Sequence, residues 1–332
     1  MKYLFTGDIH VTARPKDEYR WEVFPWLRRQ VLNREIDAVF ILGDLTDEKD
    51  KHPSRLVNRV GREMRELSKL TEVHLLKGNH DYIEESEPFF GFLYPEFCEY
   101  YASPEVIEIG EDRILAIPHM KSWKPKCQWR KDFRFDGDEK GPWTMILAHQ
   151  SFGGAVASNG FEIDGVPLAT VSTKNTAGAP VVAGDIHVPQ KFGNVRYTGS
   201  PHPVHFGDTF QPRVLLWDGT FKSIKRTTLR KAVLSVSTPE EIRGSGLDEG
   251  DQVRVILTLP RREFSAWEDR KSEVVAICED LGLLLSGCAL HEKSAPRVRL
   301  DADPSSTQKL RSAEPVALFD AYCGDRKVPK FL

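Results

Sequence analysis

The sequence predicts a mixed α/β protein: a layered α/β sandwich over residues 1–220 and a small α/β unit over residues 221–302. In the first range, short apolar runs alternate with stretches of helical periodicity, which is typical of layered α/β domains. After about residue 230 a new strand–helix–strand pattern begins, and a length of 332 residues suits two such units. Residues 303–332 are predicted to be a polar linker and a short amphipathic segment that docks on its own domain or on a partner helix.

The elements of the first range can be placed in order from their periodicity. Strands are predicted at KYLF, AVFIL and EVHLL, with helices near residues 20–34 and 54–69 between them. Further strands are predicted at RILAIP, TMILA, PVVA, VRYT and RVLLWD. Residues 121–143 and 151–180 lack periodicity and are predicted to be long loops, which in compact domains are often functional.

The small unit is predicted to be a separate β-α-β fold. Its elements are VRVILTL, a helix over about residues 264–281, and RVRL near residues 297–300. A basic stretch at residues 222–231 precedes it, and we expect this stretch to be a solvated linker.

Composition narrows the class of protein. Hydrophobic residues make up 40% and charged residues 29% of the chain, as in an ordinary globular protein with a core. The formal net charge of -3 gives no general attraction to nucleic acid, so any DNA binding must be local. The five cysteines form no CxxC or Cys/His pattern, and no apolar run resembles an export signal or a membrane span. We therefore expect a cytoplasmic protein with reduced thiols and no membrane contact.

Five predicted strands end in side chains that can bind metal ions. These side chains are Asp8 and His10, Asp44 and Asp47, Asn79, His80 and Asp81, His149, and Asp185 and His187. Taken singly, an aspartate after a strand is usually a turn former or a helix cap, and a lone histidine usually belongs to the core or the surface. Active sites of α/β sheets lie outside the carboxyl ends of the strands, so all five ends can converge on one site. The near repeat of TGDIH in AGDIH fits two turns on opposite sides of such a site.

In their order and spacing these residues resemble the calcineurin-like metallophosphoesterases, whose pattern is DxH, GDxxD, GNH(D/E), a lone histidine and GHxH. The matching motifs are Asp8-Ile9-His10, Gly43-Asp44-Leu45-Thr46-Asp47, Gly78-Asn79-His80-Asp81 and His149, and the resemblance covers about residues 1–210. The last motif departs, because Asp185 stands where the family usually has its first histidine. The resemblance implies a four-layer α/β/β/α sandwich, with the small unit as a β-α-β cap domain.

The resemblance also implies a site for two divalent metal ions. The expected ligands of the first ion are Asp8, His10 and His187. Those of the second ion are Asn79, His149 and Asp185. The carboxylate of Asp44 is the seventh expected ligand and lies between the two ions. Mixed nitrogen and oxygen ligands suit manganese or iron, with zinc as an alternative. His80 is the expected general acid, held and kept protonated by Asp47. Asp81 is expected to fix its turn through hydrogen bonds to backbone groups.

A closer resemblance is to the SbcD-type nuclease subunits of DNA end processing, including phage-encoded forms. It rests on DLTDEKDKH, on GNHDY, on YTGSPHPVHFGD at residues 197–208, and on the small unit that follows. This resemblance implies a DNA exonuclease or endonuclease for repair and recombination, in the host cytoplasm if the protein is phage-encoded. It also implies a homodimer through helices near residues 54–100, and a coiled-coil ATPase partner of the SbcC type bound by residues 303–332.

DNA contacts are predicted in two places. A nuclease needs cationic and aromatic groups near its metals, because cations hold the backbone and aromatic rings stack on bases. The segment SWKPKCQWRK supplies Trp123, Lys124, Lys126, Trp129, Arg130 and Lys131. A solvated loop with two packed tryptophans is the alternative for that segment. His202 and His205 are candidate phosphate contacts, with a structural role in the SPHPVH turn as the alternative.

Three other functions are weighed against a nuclease. The same metal site suits a small-molecule phosphodiesterase or phosphatase, such as a cyclic nucleotide hydrolase. A phosphoprotein phosphatase of the calcineurin type is disfavoured, because GDLTDEK lacks the arginine that follows the second aspartate in GDxxDRG. A DNA end-binding scaffold without catalysis is disfavoured, because every ligand position is still a competent donor and both His80 and Asp47 are present.

Overall fold

The structure, a computed structural model, describes residues 1–49, 51–84, 87–119 and 142–292. Its helices are α1 (Val23–Arg34), α2 (Ser54–Ser68) and α3 (Trp267–Asp280), and its 3₁₀ helices span Pro15–Glu22, Phe89–Leu93, Leu168–Val171, Pro239–Gly244 and Arg261–Ala266. Its strands, in chain order, are β1 (Tyr3–Thr6), β2 (Ala38–Ile41), β3 (Glu72–Leu76), β4 (Tyr82–Glu84), β5 (Glu87–Pro88), β6 (Glu99–Tyr101), β7 (Glu105–Ile109), β8 (Asp112–Ile117), β9 (Met145–His149), β10 (Val181–Gly184), β11 (Gln190–Phe192), β12 (Val195–Tyr197), β13 (Arg213–Trp217), β14 (Phe221–Lys225), β15 (Lys231–Val236), β16 (Gln252–Leu259) and β17 (Leu284–Glu292).

Two six-stranded sheets form the large unit. The first has the order β14-β13-β1-β2-β3-β6, and its strands β1, β2, β3 and β6 run parallel. The second has the order β11-β12-β10-β9-β8-β7, and its strands β8, β9, β10 and β12 run parallel. This architecture confirms the predicted α/β sandwich. Because the central strands of each sheet are parallel, their carboxyl ends lie at one edge of that sheet.

The two sheets pack face to face around a core of large apolar side chains. Tyr3 and Phe5 of β1 meet Ile114 of β8 and Leu147 of β9, and all four are fully buried. Leu4, between Tyr3 and Phe5, points to the opposite face, where it packs under the helices. Successive side chains of a β-strand point to opposite faces of the sheet. The apolar run of β1 therefore contributes both to the core between the sheets and to the core under the helices.

Helices α1 and α2 cover the outer face of the first sheet. Helix α2 buries Leu56, Val60, Met64 and Leu67, whose spacing of three and four residues places them on one face. The helix predicted over residues 54–69 is therefore α2. The helix predicted over residues 20–34 begins as the 3₁₀ helix Pro15–Glu22 and becomes α-helical at Val23.

The outer face of the second sheet is covered differently. Among the described residues, its apolar side chains pack under loop segments and the 3₁₀ turn Leu168–Val171, where an α-helical layer was expected. Phe152, Val166 and Val171 of these segments are fully or almost fully buried. The loop predicted over residues 151–180 thus also serves as the outer layer of the sandwich.

The small unit is a three-stranded parallel sheet with helix α3 on one face. Strands β15, β16 and β17 pair in that order, and Val274, Ile277 and Cys278 of α3 pack on them. The predicted strand–helix pair corresponds to β16 and α3. The strand after α3 is Leu284–Glu292, and β15 adds a strand that the sequence reading missed.

The basic stretch at residues 222–231 is not a solvated linker throughout. Its first part belongs to β14, which pairs with β13 and so extends the first sheet beyond residue 220. Arg226 and Lys231 are buried, and burial lowers the pKa of Lys231 to about 8. Both side chains donate to backbone carbonyls of the 201–204 turn: Arg226 to Pro201 at 3.0 Å and Lys231 to Val204 at 3.0 Å. The predicted linker therefore joins the two units tightly.

Several predictions fall outside the described residues. These are most of the loop at 121–143, the strand at RVRL, and the linker and partner-binding segment at 303–332. In the part of the chain that the structure describes, no helix combines the length and apolar character needed to cross a lipid bilayer.

Replacement of Tyr197 by phenylalanine is predicted to destabilise the second sheet. The fully buried Tyr197 hydroxyl accepts a hydrogen bond from the Phe152 N–H and donates one to the Gln150 carbonyl, both at 2.8 Å. Tyr197→Phe leaves these two backbone groups unpaired, so the free energy of unfolding should fall by about 1–3 kcal/mol. Urea denaturation followed by circular dichroism measures this change. Tyr94→Phe, at a side chain 55% exposed, is the matched control and should change stability little. Equal effects of the two variants would contradict this account.

Candidate metal centre

Five strand ends of the two sheets bring the predicted ligands to one place. Each ligand lies at or just beyond the carboxyl end of a strand: Asp8 and His10 after β1, Asp44 after β2, Asn79 after β3, His149 at the end of β9, and Asp185 and His187 after β10. The backbone N–H of Asp185 donates to Asp8 Oδ1 at 2.9 Å, although the two residues belong to different sheets. The two GDIH turns therefore meet across the sandwich.

Four of these ligands have left-handed backbone conformations. The φ angles are 53° at Asp8, 48° at His10, 52° at Asp44 and 87° at Asp185, a region that costs non-glycine residues about 1–3 kcal/mol each. Hydrogen bonds between neighbouring turns hold them, since Asp8 N–H donates to the Gly43 carbonyl and His10 N–H to the Asp44 carbonyl. Such strain is concentrated at functional sites, where it aims side chains that a regular strand end would direct elsewhere.

Glycines allow the turns to approach each other. A Cβ atom at Gly43 would lie 2.2 Å from His149 Nδ1, and one at Gly184 would lie 2.3 Å from the Leu42 carbonyl oxygen. The φ of Gly43 is also 89°, which side chains disfavour. Gly43 and Gly184, which precede Asp44 and Asp185, are therefore required by close packing at this site.

The Asp81 carboxylate fixes the two loops that carry Asp44 and Asn79. It is fully buried and accepts three backbone N–H bonds, from Asp44 at 2.7 Å, Gly78 at 2.8 Å and Leu45 at 3.1 Å. These contacts confirm that Asp81 fixes its turn through backbone hydrogen bonds.

His149 is oriented for metal binding by its contact with the backbone. Its Nδ1 donates to the Leu42 carbonyl at 2.6 Å, which leaves Nε2 as the unprotonated nitrogen. That Nε2 lies 3.5 Å from Asp44 Oδ1, 3.7 Å from Asp185 Oδ1 and 3.0 Å from Asn79 Oδ1. The four atoms form a compact set of lone-pair donors.

The Asn79 amide supports a cation at this position. Its oxygen faces only acceptors, namely the Asp44 carboxylate and His149 Nε2. The opposite amide orientation would place its nitrogen 2.8 Å from Asp44 Oδ2 and donate to it. The amide orientation with nitrogen toward Asp44 therefore suits the site without an ion. The orientation with oxygen in that position suits the site with a bound cation.

The other set of ligands is equally compact. His10 Nε2 lies 3.1 Å from His187 Nε2 and 3.5 Å from Asp44 Oδ2. Asp8 Oδ2 is buried and has no hydrogen-bond partner among the described residues. Asp8, His10 and His187 can each offer one atom within 4.8 Å of the others, as can Asp8, Asp44 and His149. The donor set therefore fits two divalent cations that share Asp44.

Burial sets the protonation of these ligands. It lowers the pKa of His10 well below its usual range and that of His187 to about 4, so both imidazoles are neutral and able to donate a lone pair. Burial also raises the pKa values of Asp8 and Asp44 well above the usual range of carboxyl groups, and for Asp44 the charge of Asp81 adds to the effect. Buried carboxylates of this kind are stabilised by cations.

His80 and Asp47 are adjacent but interact differently from the prediction. His80 Nδ1 donates to the Asp47 backbone carbonyl at 2.7 Å, and burial lowers the pKa of His80. The Asp47 carboxylate instead pairs with Arg14 and lies 3.6 Å from His10 Nδ1. Asp47 therefore holds His80 through its backbone carbonyl. This contact and the charge of Asp47 favour the protonated imidazole, but the effect of burial on the pKa is larger. The position of Arg14 was not foreseen, since nothing in its sequence neighbourhood marks it.

Ser151 is a second residue that sequence reasoning missed. Its hydroxyl donates to Asp185 Oδ2, while Asp185 Oδ1 faces His149. This contact orients the carboxylate that stands where the resemblance leads one to expect a histidine. A serine two residues after His149 carries no sequence signal of this role.

Of the predicted DNA contacts, one histidine is buried, one lies at a cleft beside the metal centre, and the others lie outside the described residues. His202 is fully buried, and its Nε2 donates to the Ile9 carbonyl at 2.7 Å, so its predicted phosphate contact gives way to the structural role in the turn. His205 is exposed and stacks on His187, with 5.2 Å between ring centroids. It lines a cleft of about 430 Å³ together with Asp185, His187, Phe206, Ser158 and Asn159. Trp123, Lys124, Lys126, Trp129, Arg130 and Lys131 lie outside the described residues.

Two solved structures with similarity to this chain are distant in sequence. One is a protein of unknown function from Aquifex aeolicus, with 16% sequence identity and a TM-score of 0.29 over 60% of this chain and 89% of that chain. Another is GAP50, the anchor in the inner membrane complex of Plasmodium, with 8% identity and a TM-score of 0.40 over 68% of this chain and 84% of that chain. With TM-scores below 0.5, neither similarity bears on function. No curated protein matches the chain significantly.

The comparison with protein families identifies one family over residues 1–196. The model of the calcineurin-like phosphoesterases matches residues 1–196, a range that contains β1, β2, β3, β9 and β10 with every ligand described above. By this match over more than half of its length, the chain belongs to the calcineurin-like phosphoesterase family, whose members are metal-dependent phosphoester hydrolases.

Proposed function

We propose that this protein is a metal-dependent DNA nuclease, which hydrolyses phosphodiester bonds as an exonuclease or endonuclease. The observation that carries the hydrolytic part is the convergence of two ligand sets on the shared Asp44 carboxylate. The choice of DNA is supported by the sequence resemblance to SbcD-type nuclease subunits, above all by the GSPHPVHFGD turn beside the metal centre.

The chain's own residues have distinct parts in such a reaction. Two divalent ions held here would lower the pKa of a shared water and neutralise the charge of a phosphodiester. Asp44 fixes the spacing between the two ligand sets. His80 is anchored through Nδ1, so its other ring nitrogen is free to give a proton to the leaving oxygen. A phosphate beside the ring adds negative charge, which favours the protonated imidazole and opposes the effect of burial.

The proposed biological setting follows from the same resemblance. Manganese is the proposed native metal, with iron or zinc as alternatives, because the ligands mix imidazole nitrogen with carboxylate and amide oxygen. An SbcC-type coiled-coil ATPase bound through residues 303–332, a homodimer, and a location in the cytoplasm of the cell or of a phage host complete the proposal.

One observation favours a second candidate function. The cleft of about 430 Å³ beside His187 and Asp185 has the size of a small-ligand site and suits a single nucleotide. A small-molecule or cyclic nucleotide phosphodiesterase would use the same metals and the same cleft. Substrate comparison separates the two functions.

The central prediction concerns substrate and metal dependence. Purified protein with manganese should cleave linear duplex or single-stranded DNA as well as bis-nitrophenyl phosphate, and chelation should abolish both activities. Asp44→Asn should lower both by about 100-fold or more, because it removes the charge shared by the two ligand sets. Gel assays and nitrophenolate absorbance measure the two reactions. Cleavage of the generic ester or of cyclic nucleotides without any DNA cleavage would favour the second candidate, and no hydrolysis at all would refute both.

The role of His80 predicts a dependence on the leaving group. His80→Asn should slow DNA cleavage by about 10²–10⁴-fold, because the departing sugar oxygen needs a proton. It should slow bis-nitrophenyl phosphate hydrolysis far less, because nitrophenolate leaves without protonation. Single-turnover rates on both substrates measure the difference. His291→Asn, at an exposed histidine of β17, should change neither rate. An equal loss on both substrates would show that His80 does not act as the general acid.

Metal binding itself can be tested without activity. Manganese at 100 times its dissociation constant should stabilise the protein by about 2.7 kcal/mol, and a chelator should reverse this. Asp8→Asn should remove much of this gain, because the buried Asp8 Oδ2 is an expected ligand atom. Thermal denaturation with and without manganese measures the shift in Tm. Asp269→Asn, at an exposed position of α3, should retain the full shift. Equal shifts in both variants would exclude Asp8 as a ligand.

A further inference from the structure

A groove lined by arginines runs along the exposed side of helix α2. Its volume is about 580 Å³, and its lining residues are Glu18, Ser54, Arg55, Asn58, Arg59 and Arg62. We call this feature the arginine groove. Three guanidinium groups face one carboxylate there, although the whole chain has a net charge of -3. The groove is therefore a local concentration of positive charge.

The spacing of the arginines follows from the amphipathic pattern of α2. Leu56, Val60, Met64 and Leu67 occupy the buried face, so Arg55, Arg59 and Arg62, at steps of four and three residues, form a stripe on the exposed side. A step of four residues advances about 6 Å along a helix. The stripe thus presents its charges in a line, and guanidinium groups pair well with phosphate oxygens.

The three arginines differ in how they are held. Arg59 donates two hydrogen bonds to Glu18, at 2.8 and 2.5 Å, and stacks over Trp21 at 4.2 Å. Arg55 and Arg62 are exposed. The pKa of Glu18 is lowered chiefly by its hydrogen bonds from Arg59 and also by the charge of Arg55. Glu18 is thus hydrogen-bonded to Arg59, and the exposed guanidinium groups of Arg55 and Arg62 are accessible to a ligand.

The arginine groove is continuous with the loop that leaves the metal centre. A smaller cleft of about 160 Å³ shares Glu18, Arg55 and Arg59 with it and reaches Thr12, Ala13 and Pro15. These three residues follow the ligands Asp8 and His10 directly. Within the same loop, Arg14 pairs with Asp47, whose Oδ1 lies 3.6 Å from His10 Nδ1. Arg14 also pairs with Asp17 at 2.9 Å, so its charge is neutralised, and the net positive charge of this side lies in the arginine groove itself. The shared lining residues nevertheless make the groove continuous with the loop that follows the metal ligands.

We propose that the arginine groove binds the sugar-phosphate backbone of a DNA strand whose scissile phosphate lies at the metal centre. This inference rests on the proposed nuclease function and extends it by assigning the path of the strand. Guanidinium contacts to phosphates read no base, so binding in the groove is independent of sequence. Two copies of the chain that met through this side of α2 would bring like charges together. The homodimer proposed above through residues 54–100 would therefore use another part of that region and leave the arginine groove open to DNA.

The test measures DNA binding without cleavage. Arg55→Ala/Arg62→Ala is compared with the unmodified protein in a chelator, using fluorescence anisotropy with a labelled 20-nucleotide single strand and a 20-base-pair duplex at several salt concentrations. Affinity should fall about tenfold or more at low salt. The slope of log K against log salt should decrease by about 1.8 for duplex or about 1.4 for a single strand, as two phosphate contacts are lost. Arg55→Lys/Arg62→Lys should keep most of the slope, because it keeps the charges.

The matched control removes the same charge at the opposite end of the helical layer. Arg34 ends α1 and Lys69 follows α2, and both lie where the helices approach the amino ends of the strands. Arg34→Ala/Lys69→Ala should leave affinity and slope unchanged. Equal losses in the two alanine variants, or no loss in the groove variant, would overturn the inference. The inference would also be overturned if Arg55→Ala/Arg62→Ala lost binding to a polyglutamate peptide but kept its binding to DNA, because the groove would then bind an acidic protein segment. Cleavage of the same DNA by the unmodified protein with manganese tests the nuclease proposal separately, so either can fail alone.

Discussion

The candidate site depends on one buried carboxylate, that of Asp81, which holds the loops after β2 and β3 together. It accepts N–H groups from Asp44 and Leu45 on one loop and from Gly78 on the other. Charge-assisted bonds of this kind are among the strongest in proteins. They offset the strain of the left-handed turn at Asp44 and leave its carboxylate facing both ligand sets. The His80 N–H then donates to Asp44 Oδ1 at 2.9 Å, so the general acid candidate is placed relative to the shared ligand.

A second network joins the small unit to the same site. Lys231, at the start of β15, donates to the Val204 carbonyl and lies 3.7 Å from the buried Asp17. Arg20 donates to the same Val204 carbonyl at 3.1 Å and to the His10 carbonyl at 2.5 Å. Buried ion pairs of this kind are costly to break, because each lost partner leaves an unpaired charge. The side chains of Lys231 and Arg20 meet at the Val204 carbonyl and so connect the small unit to the backbone of His10.

The sequence was sufficient for features that depend on local pattern. Strand ends, glycine turns and the convergence of the candidate donors follow from short apolar runs that end in GD, in GNH or, for His149, in a lone histidine. Parallel strands bring such ends together whatever the distance along the chain. Contacts set by packing between distant segments were not predictable in this way. The Asp47 carbonyl rather than its carboxylate holds His80, Ser151 orients Asp185, and Arg226 is buried in a stretch that reads as a linker. In each case the residue type allowed the contact, but the partner was fixed only by the fold.

The aspartate at position 185 makes the two ligand sets unlike each other. One set combines two neutral imidazoles with the Asp8 carboxylate, whereas the other combines one imidazole, an amide oxygen and the Asp185 carboxylate, and Asp44 serves both. The second set thus has more oxygen donors, which suit harder cations such as manganese, while imidazole nitrogen suits zinc and iron. Replacement of the usual histidine by Asp185 also adds a negative charge to a buried site that already contains Asp8 and Asp44. Cations at this candidate site would relieve the mutual repulsion among these carboxylates, so the substitution would strengthen the link between metal binding and the folded form of the site.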